Sequence, residues 1–224
     1  LAMFARIDAE MPPLRGLVNN AGVVDAMARV DEVTVARLSR MFAINVIGSF
    51  VCAREAVRRM STKHGGQGGA IVNLSSVAAK LGGPGWYVDY AASKGAIDTF
   101  TVGLAREVAL EGIRVNAVRP GIIDTDIHAS GGQPDRAHRS AALIPMQRPG
   151  TAEEVADASV IDVTDMAEVL PEEPALPPSW DPYLEDGLFL TRSRSALLID
   201  VDGRVVASKG DLSANAVDTV AGRL

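Results

Sequence analysis

The stretch YAASKGAIDTFTVGLAREVALEGIRVNAV, residues 90–118, decides the fold. Its first part predicts a helix over about 90–111, and Gly112 is the residue type that commonly ends a helix as its C-cap. The short apolar segment that follows, 114–118, is typical of a buried parallel strand. A helix joined directly to such a strand indicates an α/β architecture.

Two further apolar segments, 14–18 and 70–74, are also predicted as strands, with a long helix over about 34–60 between them. Strand–helix–strand–helix–strand with right-handed crossovers makes a parallel sheet covered by helices, so the fold class is α/β, a partial Rossmann-type sheet. The 34–60 helix has no clean polar face. We therefore predict burial on two sides and a homo-oligomer contact through it.

Net charge, cysteine content and hydropathy argue against several classes of function. A net charge of -6 and a pI near 5.1 argue against a nucleic-acid surface, which needs a basic stripe. The one cysteine, Cys52, forms no internal disulfide, so a reducing, cytoplasmic location is expected. We find no run of the ~20 apolar residues that a bilayer crossing needs, so no membrane contact is expected.

The tail differs in character from the rest. The segment 162–187 has eight acidic residues, no Lys or Arg and five prolines, which is typical of a linker, predicted over 160–187. Segments 195–201 and 204–208 flank Asp202-Gly203, a strong signal for a β-hairpin with a type I′ turn. We predict a separate small unit at 188–224, with a helix start after the hairpin. It weakly resembles the opening of a roadblock-type module, and a generic hairpin is an equal alternative. The spacing of its carboxylates does not fit a calcium loop, so no metal site is predicted.

The sharpest candidate for chemistry is the pair Tyr90 and Lys94. Positions i and i+4 lie on one face of a helix, so the phenol and the ammonium are neighbours. A cation held close favours the phenolate, and such a tyrosine can pass a proton to or from a carbonyl oxygen or an alcohol. The alternative is an accidental surface pair.

Further candidates follow the predicted strands. The 70–74 strand runs directly into Ser75 and Ser76, so a serine lies at the sheet edge where α/β folds bind ligands, although a plain loop serine is the alternative. Asn45 stands inside the apolar helix, where a buried amide either holds a water or ties two elements together. The segments 19–22 and 119–125 follow the first and third strands. They let a nucleotide approach closely, or they are ordinary turns.

These motifs are NNAG at 19–22, Asn45, IVNLSS at 71–76, YAASK at 90–94 and RPGIIDT at 119–125. Their order and spacing resemble the short-chain dehydrogenase/reductase family over residues 1 to about 159, most closely a bacterial sugar-dehydrogenase-like branch. The resemblance implies that Tyr90 is the general acid/base and that Lys94 holds the nicotinamide ribose and lowers the Tyr90 pKa. It also implies that Ser76 orients the substrate oxygen and that Asn45 organises a proton-relay water.

The resemblance implies NAD(P) as cofactor, with NADP slightly favoured over NAD, and a small carbonyl or alcohol substrate. Residues 126–147 would form a mobile substrate lid. His128 and His138 lie in it and are expected to be solvated, with contact to substrate as the alternative for either. Besides Tyr90 and Lys94, the implied cofactor contacts are Asn19, Ala21 and Gly22 on the adenosine side and Pro120, Gly121, Ile123 and Thr125 at the nicotinamide end.

The family's opening strand, Gly-rich turn and helix, which hold the pyrophosphate, have no counterpart that we find. The glycine cluster at 65–69 follows a helix and precedes a strand, the reverse of the required order. We therefore expect a chain that begins within a domain, lacks the N-terminal βαβ half and is weak or inactive alone. The alternative is a non-catalytic fragment or fusion that acts as a protein-interaction module.

Overall fold

The computed structural model describes residues 2–164, with side chains to Ser159, and the tail segments 187–188, 195–200 and 205–210. The described residues belong to two compact units, one within Leu1–Met166 and the other within Ala167–Leu224.

The first unit contains a three-stranded parallel sheet. Its strands are β1 (Gly16–Asn19), β2 (Gly69–Leu74) and β3 (Ile113–Val118), with β2 in the middle. Every residue of β2 is buried, as expected for the central strand of a sheet covered on both faces. The predicted α/β class, with three parallel strands, is confirmed.

Helices cover this sheet and connect its strands. A buried cluster from α3, β2, the end of α5 and β3, with Met60 and Ile71 among its members, forms the core between helices and sheet. The α-helices are α1 (Ala2–Glu10), α2 (Val35–Phe42), α3 (Gly48–Met60), α4 (Ala78–Leu81), α5 (Val88–Val108), α6 (Ile127–Ser130), α7 (Arg136–Arg139) and α8 (Ala152–Thr164); a π-helical turn spans Ala43–Ile47, and 3₁₀ turns span Val30–Glu32, Thr62–His64, Ala109–Glu111 and Ala141–Leu143.

The two long predicted helices both form. Thr34 caps α2 by accepting a hydrogen bond from the Arg37 amide at 3.2 Å, and the π-helical turn divides the predicted 34–60 helix, which sequence patterning did not show. Helix α5 and the 3₁₀ turn after it end at Gly112, whose φ of 73° is the left-handed conformation expected of a glycine C-cap.

The run Val35–Met60 is 26 residues long and, by length and composition alone, apolar enough to cross a membrane. The expectation that the sequence contains no run long and apolar enough to cross a bilayer is therefore wrong. Ala53, Ala56 and Met60 at the end of this run are buried in the core, whereas only 17% of its most apolar 18-residue stretch is buried. The expected lack of membrane contact stays a prediction.

The tail unit contains an antiparallel sheet in the order β4 (Gly187–Leu188), β5 (Ser195–Asp200) and β6 (Val205–Gly210). The pairing of β5 with β6 confirms the two hairpin strands, and β4 adds a third strand that was not predicted. The type I′ turn, the helix start after the hairpin and positions 165–186 of the proposed linker lie outside the described residues. Helix α8 continues through Thr164, into the segment predicted as linker.

Candidate active site

The ends of the three parallel strands meet at one edge of the sheet, where backbone bonds fix the loops to one another. The Ser75 amide donates to the Val118 carbonyl at 2.9 Å, and the Val77 amide donates to the Pro120 carbonyl at 3.0 Å. Ser75 and Ser76 are buried in this junction. The loops after β2 and β3 therefore form a tied surface rather than two independent turns.

Ser76, Tyr90 and Lys94 come together at this edge. The Ser76 oxygen accepts from the Ala78 amide at 3.1 Å, and the Ser76 side chain lies close enough to the Tyr90 phenol to lower its pKa. The Lys94 Nζ lies 5.8 Å from the centroid of the Tyr90 ring, on the same face of α5, and donates to the Leu74 carbonyl at 2.6 Å. The i, i+4 spacing and the strand-end serine thus produce the predicted cluster.

Burial moves the pKa of both ionisable groups towards the neutral form. Burial lowers the pKa of the Lys94 ammonium to about 8, and the nearby Asp98 carboxylate only partly opposes this. Burial also raises the pKa of Tyr90, against the hydrogen bond from Ser76 and the positive charge of Arg136. The net direction for Tyr90 is opposite to the lowering by Lys94 that the family resemblance implied, because desolvation outweighs the nearby charges.

Asn45 lies inside the π-helical turn, nearly fully buried, and its side chain ties three elements together. Its Oδ1 accepts from the Val23 amide at 2.8 Å, while its Nδ2 donates to the Val23 carbonyl at 2.9 Å and to the Ser93 hydroxyl at 3.0 Å. A Cβ at Gly22 would lie 3.4 Å from the Lys94 Nζ and 3.5 Å from the Asn45 Oδ1. The geometry shows that Asn45 is a structural tie, and its role in organising a proton-relay water stays a prediction.

Asn19 is placed differently from the other predicted cofactor contacts. Its side chain donates to the Asn73 Oδ1 at 2.8 Å, and Asn73 in turn donates to the Thr101 hydroxyl at 2.9 Å, all within the protein interior. Ala21 is exposed and Gly22 half-buried, so these two positions remain open to a ligand. The sequence patterns did not predict this row of buried amide side chains, although an asparagine inside the otherwise apolar IVNL strand was a signal for it.

The predicted nicotinamide end is the loop after β3. Gly121 and Thr125 are exposed, and a Cβ at Gly121 would meet no atom within 4 Å. Ile123 pairs with Gly150 in an isolated parallel bridge, which holds the start of the lid segment against the residues that precede α8. These positions leave open space beside the loops after β2 and β3, next to the Ser76–Tyr90–Lys94 cluster.

The two lid histidines differ. His128 is buried, and its Nε2 lies 2.8 Å from the Ile123 carbonyl oxygen, so the expectation that it is solvated is wrong. It packs inward because α6 folds back on the loop that precedes it. His138 is exposed as expected, with its Nε2 3.2 Å from an Asp124 carboxylate oxygen.

A buried ion pair beside Tyr90 was not anticipated. Arg37 on α2 donates to both carboxylate oxygens of Asp89, at 2.7 and 3.3 Å, and to the Ala26 carbonyl at 2.6 Å. Asp89 precedes Tyr90 in the first turn of α5 and is only 5% exposed. The pair joins the loop after β1 to the start of the helix that carries the phenol. Sequence alone gave no sign that Asp89 is buried.

A small cleft opens beside these elements at the lid. It has a volume of about 280 Å³. The Arg136 guanidinium lies over its aromatic neighbours, 5.6 Å from the Trp86 ring centroid and 5.2 Å from that of Tyr87. The residues that line it are Trp86, Gln133, Arg136, Arg139 and Ser140.

The fold and the site together define a class: an α/β protein with a serine–tyrosine–lysine cluster at the carboxyl edge of a parallel sheet. A family model described as enoyl-(acyl carrier protein) reductase matches residues 1–170. The chain belongs to the short-chain dehydrogenase/reductase family of oxidoreductases. The family and the Rossmann-type fold that the motifs implied are thus confirmed.

Individual relatives agree with this assignment. The uncharacterized oxidoreductase YgfF of Escherichia coli strain K12 is 59% identical over 167 residues, 75% of this chain and 68% of that protein. The glucose and ribitol dehydrogenase homolog of Oryza sativa subsp. japonica is 37% identical over 154 residues, 67% of this chain and 51% of that protein. The solved structure of ElxO with NADP bound superposes with a TM-score of 0.65 at 30% identity, over 75% of this chain and 67% of that one. The chain thus spans about half to two thirds of these relatives.

Removal of Arg37 from the buried pair tests how strongly the start of α5 is held. Arg37→Ala leaves the Asp89 carboxylate buried without its charge-assisted bonds, so we expect a loss of about 2–3 kcal/mol in the free energy of unfolding. Arg29→Ala breaks an exposed pair with Asp31 at 3.0 Å and is the matched control, with an expected change below about 1 kcal/mol. Urea denaturation measures both; equal losses would contradict the stabilising role of the pair.

The pKa of Lys94 predicts a pH dependence of stability. Because its pKa is about 8 in the folded chain and 10.5 as the ordinary value, unfolding takes up a proton between these pH values, and rising pH favours the folded state. Relative to Lys94→Met, the unmodified chain should gain about 2–3 kcal/mol of stability as pH rises through that window. Lys80→Met, which changes an exposed lysine on α4 and keeps Lys94, should follow the same pH dependence as the unmodified chain. Parallel stability curves for the chain and Lys94→Met would show that Lys94 keeps its ordinary pKa.

Proposed function

We propose that this protein is an NAD(P)-dependent oxidoreductase, with NADP favoured, which moves hydride between the nicotinamide and a small carbonyl or secondary alcohol. The single observation that carries the proposal is the cluster of Ser76, Tyr90 and Lys94 at the carboxyl edge of the sheet. Support for NADP comes from the structural relative with NADP bound. A cytoplasmic location and the lack of nucleic-acid and membrane partners are part of the same proposal.

Ser76 and Tyr90 divide the handling of the substrate oxygen between them. The Ser76 oxygen accepts from the Ala78 amide, which leaves the Ser76 hydroxyl hydrogen for the Tyr90 phenol or, when a substrate is bound, for the substrate oxygen. In carbonyl reduction, the Ser76 hydroxyl orients the carbonyl oxygen and the Tyr90 phenol donates a proton to it. In alcohol oxidation the phenolate takes that proton back.

The raised pKa of Tyr90 keeps the phenol protonated at neutral pH. The protonated phenol is the form that donates to a carbonyl oxygen, and the phenolate is the form that takes a proton from an alcohol. In our proposal, the rate of alcohol oxidation therefore increases with pH as the phenolate forms.

The residues around the cluster fit the nicotinamide end of a dinucleotide. The bound cofactor supplies or accepts the hydride. The space that a Cβ at Gly22 would fill lies beside the Lys94 ammonium, and Gly121 faces open space. In our proposal Lys94 hydrogen-bonds the ribose hydroxyls, Ala21 and Gly22 let the adenosine side approach, and Pro120, Gly121, Ile123 and Thr125 contact the nicotinamide. Since its side chain faces inward, Asn19 would contribute only backbone.

In the part of the chain that the structure describes, no Gly-rich turn leads from a strand into a helix to hold a pyrophosphate. We therefore propose that the 224-residue chain alone binds NADPH weakly and turns over little substrate. The alternative function is that of a non-catalytic interaction module. It would apply if no form of this protein turns over a substrate.

Tyr90→Phe tests the proposed chemistry in any form of this protein that reduces a carbonyl substrate. It removes only the proton donor, so we expect kcat to fall by about 10²–10⁴-fold, while the dissociation constant for NADPH, from fluorescence titration, stays within about twofold. Tyr87→Phe is the matched control, because it removes a phenol hydroxyl that has no lysine four residues later. Full activity of Tyr90→Phe would exclude Tyr90 as the general acid.

We also propose a homo-oligomer that forms through the Val35–Met60 run. Ile47 is 58% and Phe50 is 47% exposed, and the Phe50 ring stacks on Phe100 of α5 with centroids 3.8 Å apart. Val51, four residues after Ile47 on the same helix face, is 37% exposed and extends this apolar surface along α3. A contiguous apolar patch on two neighbouring helices is typical of a subunit interface.

A charge in this patch should separate the subunits. Ile47→Asp buries a carboxylate in the proposed interface, so we expect the mass measured by sedimentation equilibrium to shift towards the monomer. Leu110→Asp, at an 89% exposed leucine beyond α5, is the control and should leave the mass unchanged. An unmodified chain that is monomeric at high concentration would refute the oligomer.

A further inference from the structure

The lid cleft described above combines cationic and aromatic groups. Four of its five lining residues, Gln133, Arg136, Arg139 and Ser140, come from the segment predicted as the substrate lid, and the fifth, Trp86, lies just before α5. Two of the five are arginines and none is acidic. The lining therefore favours a ligand group with negative charge.

Arg136 is positioned to bind such a group. Its guanidinium lies within cation–π distance of both Trp86 and Tyr87, at 5.6 and 5.2 Å from the ring centroids. The two rings are nearly perpendicular, with an interplanar angle of 80°, so the guanidinium can stack face-on with at most one of them. Its planar set of N–H donors matches a carboxylate in bidentate geometry. Among residues 2–159, no carboxylate forms an ion pair with Arg136. The ring contacts thus hold a half-buried cation whose N–H donors are available.

The packing of α7 fixes the position of Arg136. It is the first residue of α7, and the next residue, Ala137, is fully buried, so the short helix is anchored against the body of the protein. Arg139 at the other end of α7 donates to the Gln133 Oε1 at 3.1 Å. The cleft wall is therefore held at both ends of the helix.

The cleft adjoins the phenol. Tyr87, under the Arg136 guanidinium, lies one helical turn before Tyr90 at the start of α5, where residues three apart are neighbours. The Arg136 charge acts on the Tyr90 phenol, lowering its pKa against the effect of burial. Arg136 therefore lies close enough to the Tyr90 phenol for its charge to act on that group.

We propose that the substrate is a small oxo-acid or hydroxy-acid, whose carboxylate binds Arg136 in the lid cleft while its carbonyl or hydroxyl oxygen meets Ser76 and Tyr90. The proposal rests on the proposed function for the reacting end and names the class of the other end. Reduction transfers hydride to the carbonyl carbon and the Tyr90 proton to its oxygen, and the carboxylate is unchanged.

Binding of the acid can be measured without any cofactor. The chain has two tryptophans, so Trp180→Phe leaves Trp86, in the cleft, as the only one. We would titrate this variant with lactate, lactamide and inorganic phosphate at constant ionic strength and follow Trp86 fluorescence. We expect a saturable change with lactate, no comparable change with the neutral lactamide, and weaker binding of phosphate.

Arginine variants in the same background identify the binding group. Arg136→Gln should weaken lactate binding about tenfold or more, which corresponds to 1.4 kcal/mol or more. Arg106→Gln, an exposed arginine on α5 with the same change in charge, should bind like the parent. Arg136→Lys, which keeps the charge but loses the planar fork, should bind with intermediate affinity and serves if Arg136→Gln unfolds.

Several results would overturn the substrate class. They are a titration without saturation, equal binding of lactamide, tighter binding of phosphate, or equal weakening by Arg106→Gln. Since this measurement contains no nicotinamide, its failure would leave the Tyr90 assignment standing. Conversely, full activity of Tyr90→Phe would remove the reaction and leave an acid-binding cleft.

Discussion

The edge of the sheet depends on one buried amide. The Asn45 side chain bonds both the amide and the carbonyl of Val23 and also the Ser93 hydroxyl, so one residue joins the loop after β1, the π-helical turn and the helix of the phenol. π-helical turns are rare and frequently occur at functional sites. Without these bonds the Val23 backbone groups and the space beside Gly22 would not be held next to Lys94, and the cluster would lose one wall.

Burial gives the two ionisable groups of the cluster their properties. Desolvation makes Lys94 a weaker base and Tyr90 a weaker acid, and both effects favour neutral side chains. The Lys94 ammonium is stabilised instead by the Leu74 carbonyl, a backbone acceptor at the end of the central strand. The lysine is thus held in place by the sheet, and its charge has less influence on the phenol than the spacing alone suggested.

Local patterns predicted the parts of the site that depend on local geometry. The i, i+4 pair on α5, the Gly112 cap and the three strands were readable because each rests on a short stretch of chain. The roles of Asn45 and Asp89 were not, since their partners Val23 and Arg37 lie 22 and 52 residues away. The burial of His128 and the inward turn of Asn19 likewise depend on packing. The direction of the Tyr90 pKa could not be predicted because it reflects the desolvation of the whole fold.

In our proposal, the lid arginine affects both substrate binding and proton transfer. In the absence of an anion, the positive charge of Arg136 lowers the pKa of the Tyr90 phenol. A carboxylate bound at Arg136 would offset that charge, so the Tyr90 pKa would rise further and the phenol would become a weaker acid. The proposed acid substrate would therefore gain affinity at Arg136 and lose some acid strength at Tyr90, whereas a neutral carbonyl compound of the same size would do neither. Specificity for the acid would then appear mainly in KM, because the bound carboxylate adds affinity while it weakens the proton donor.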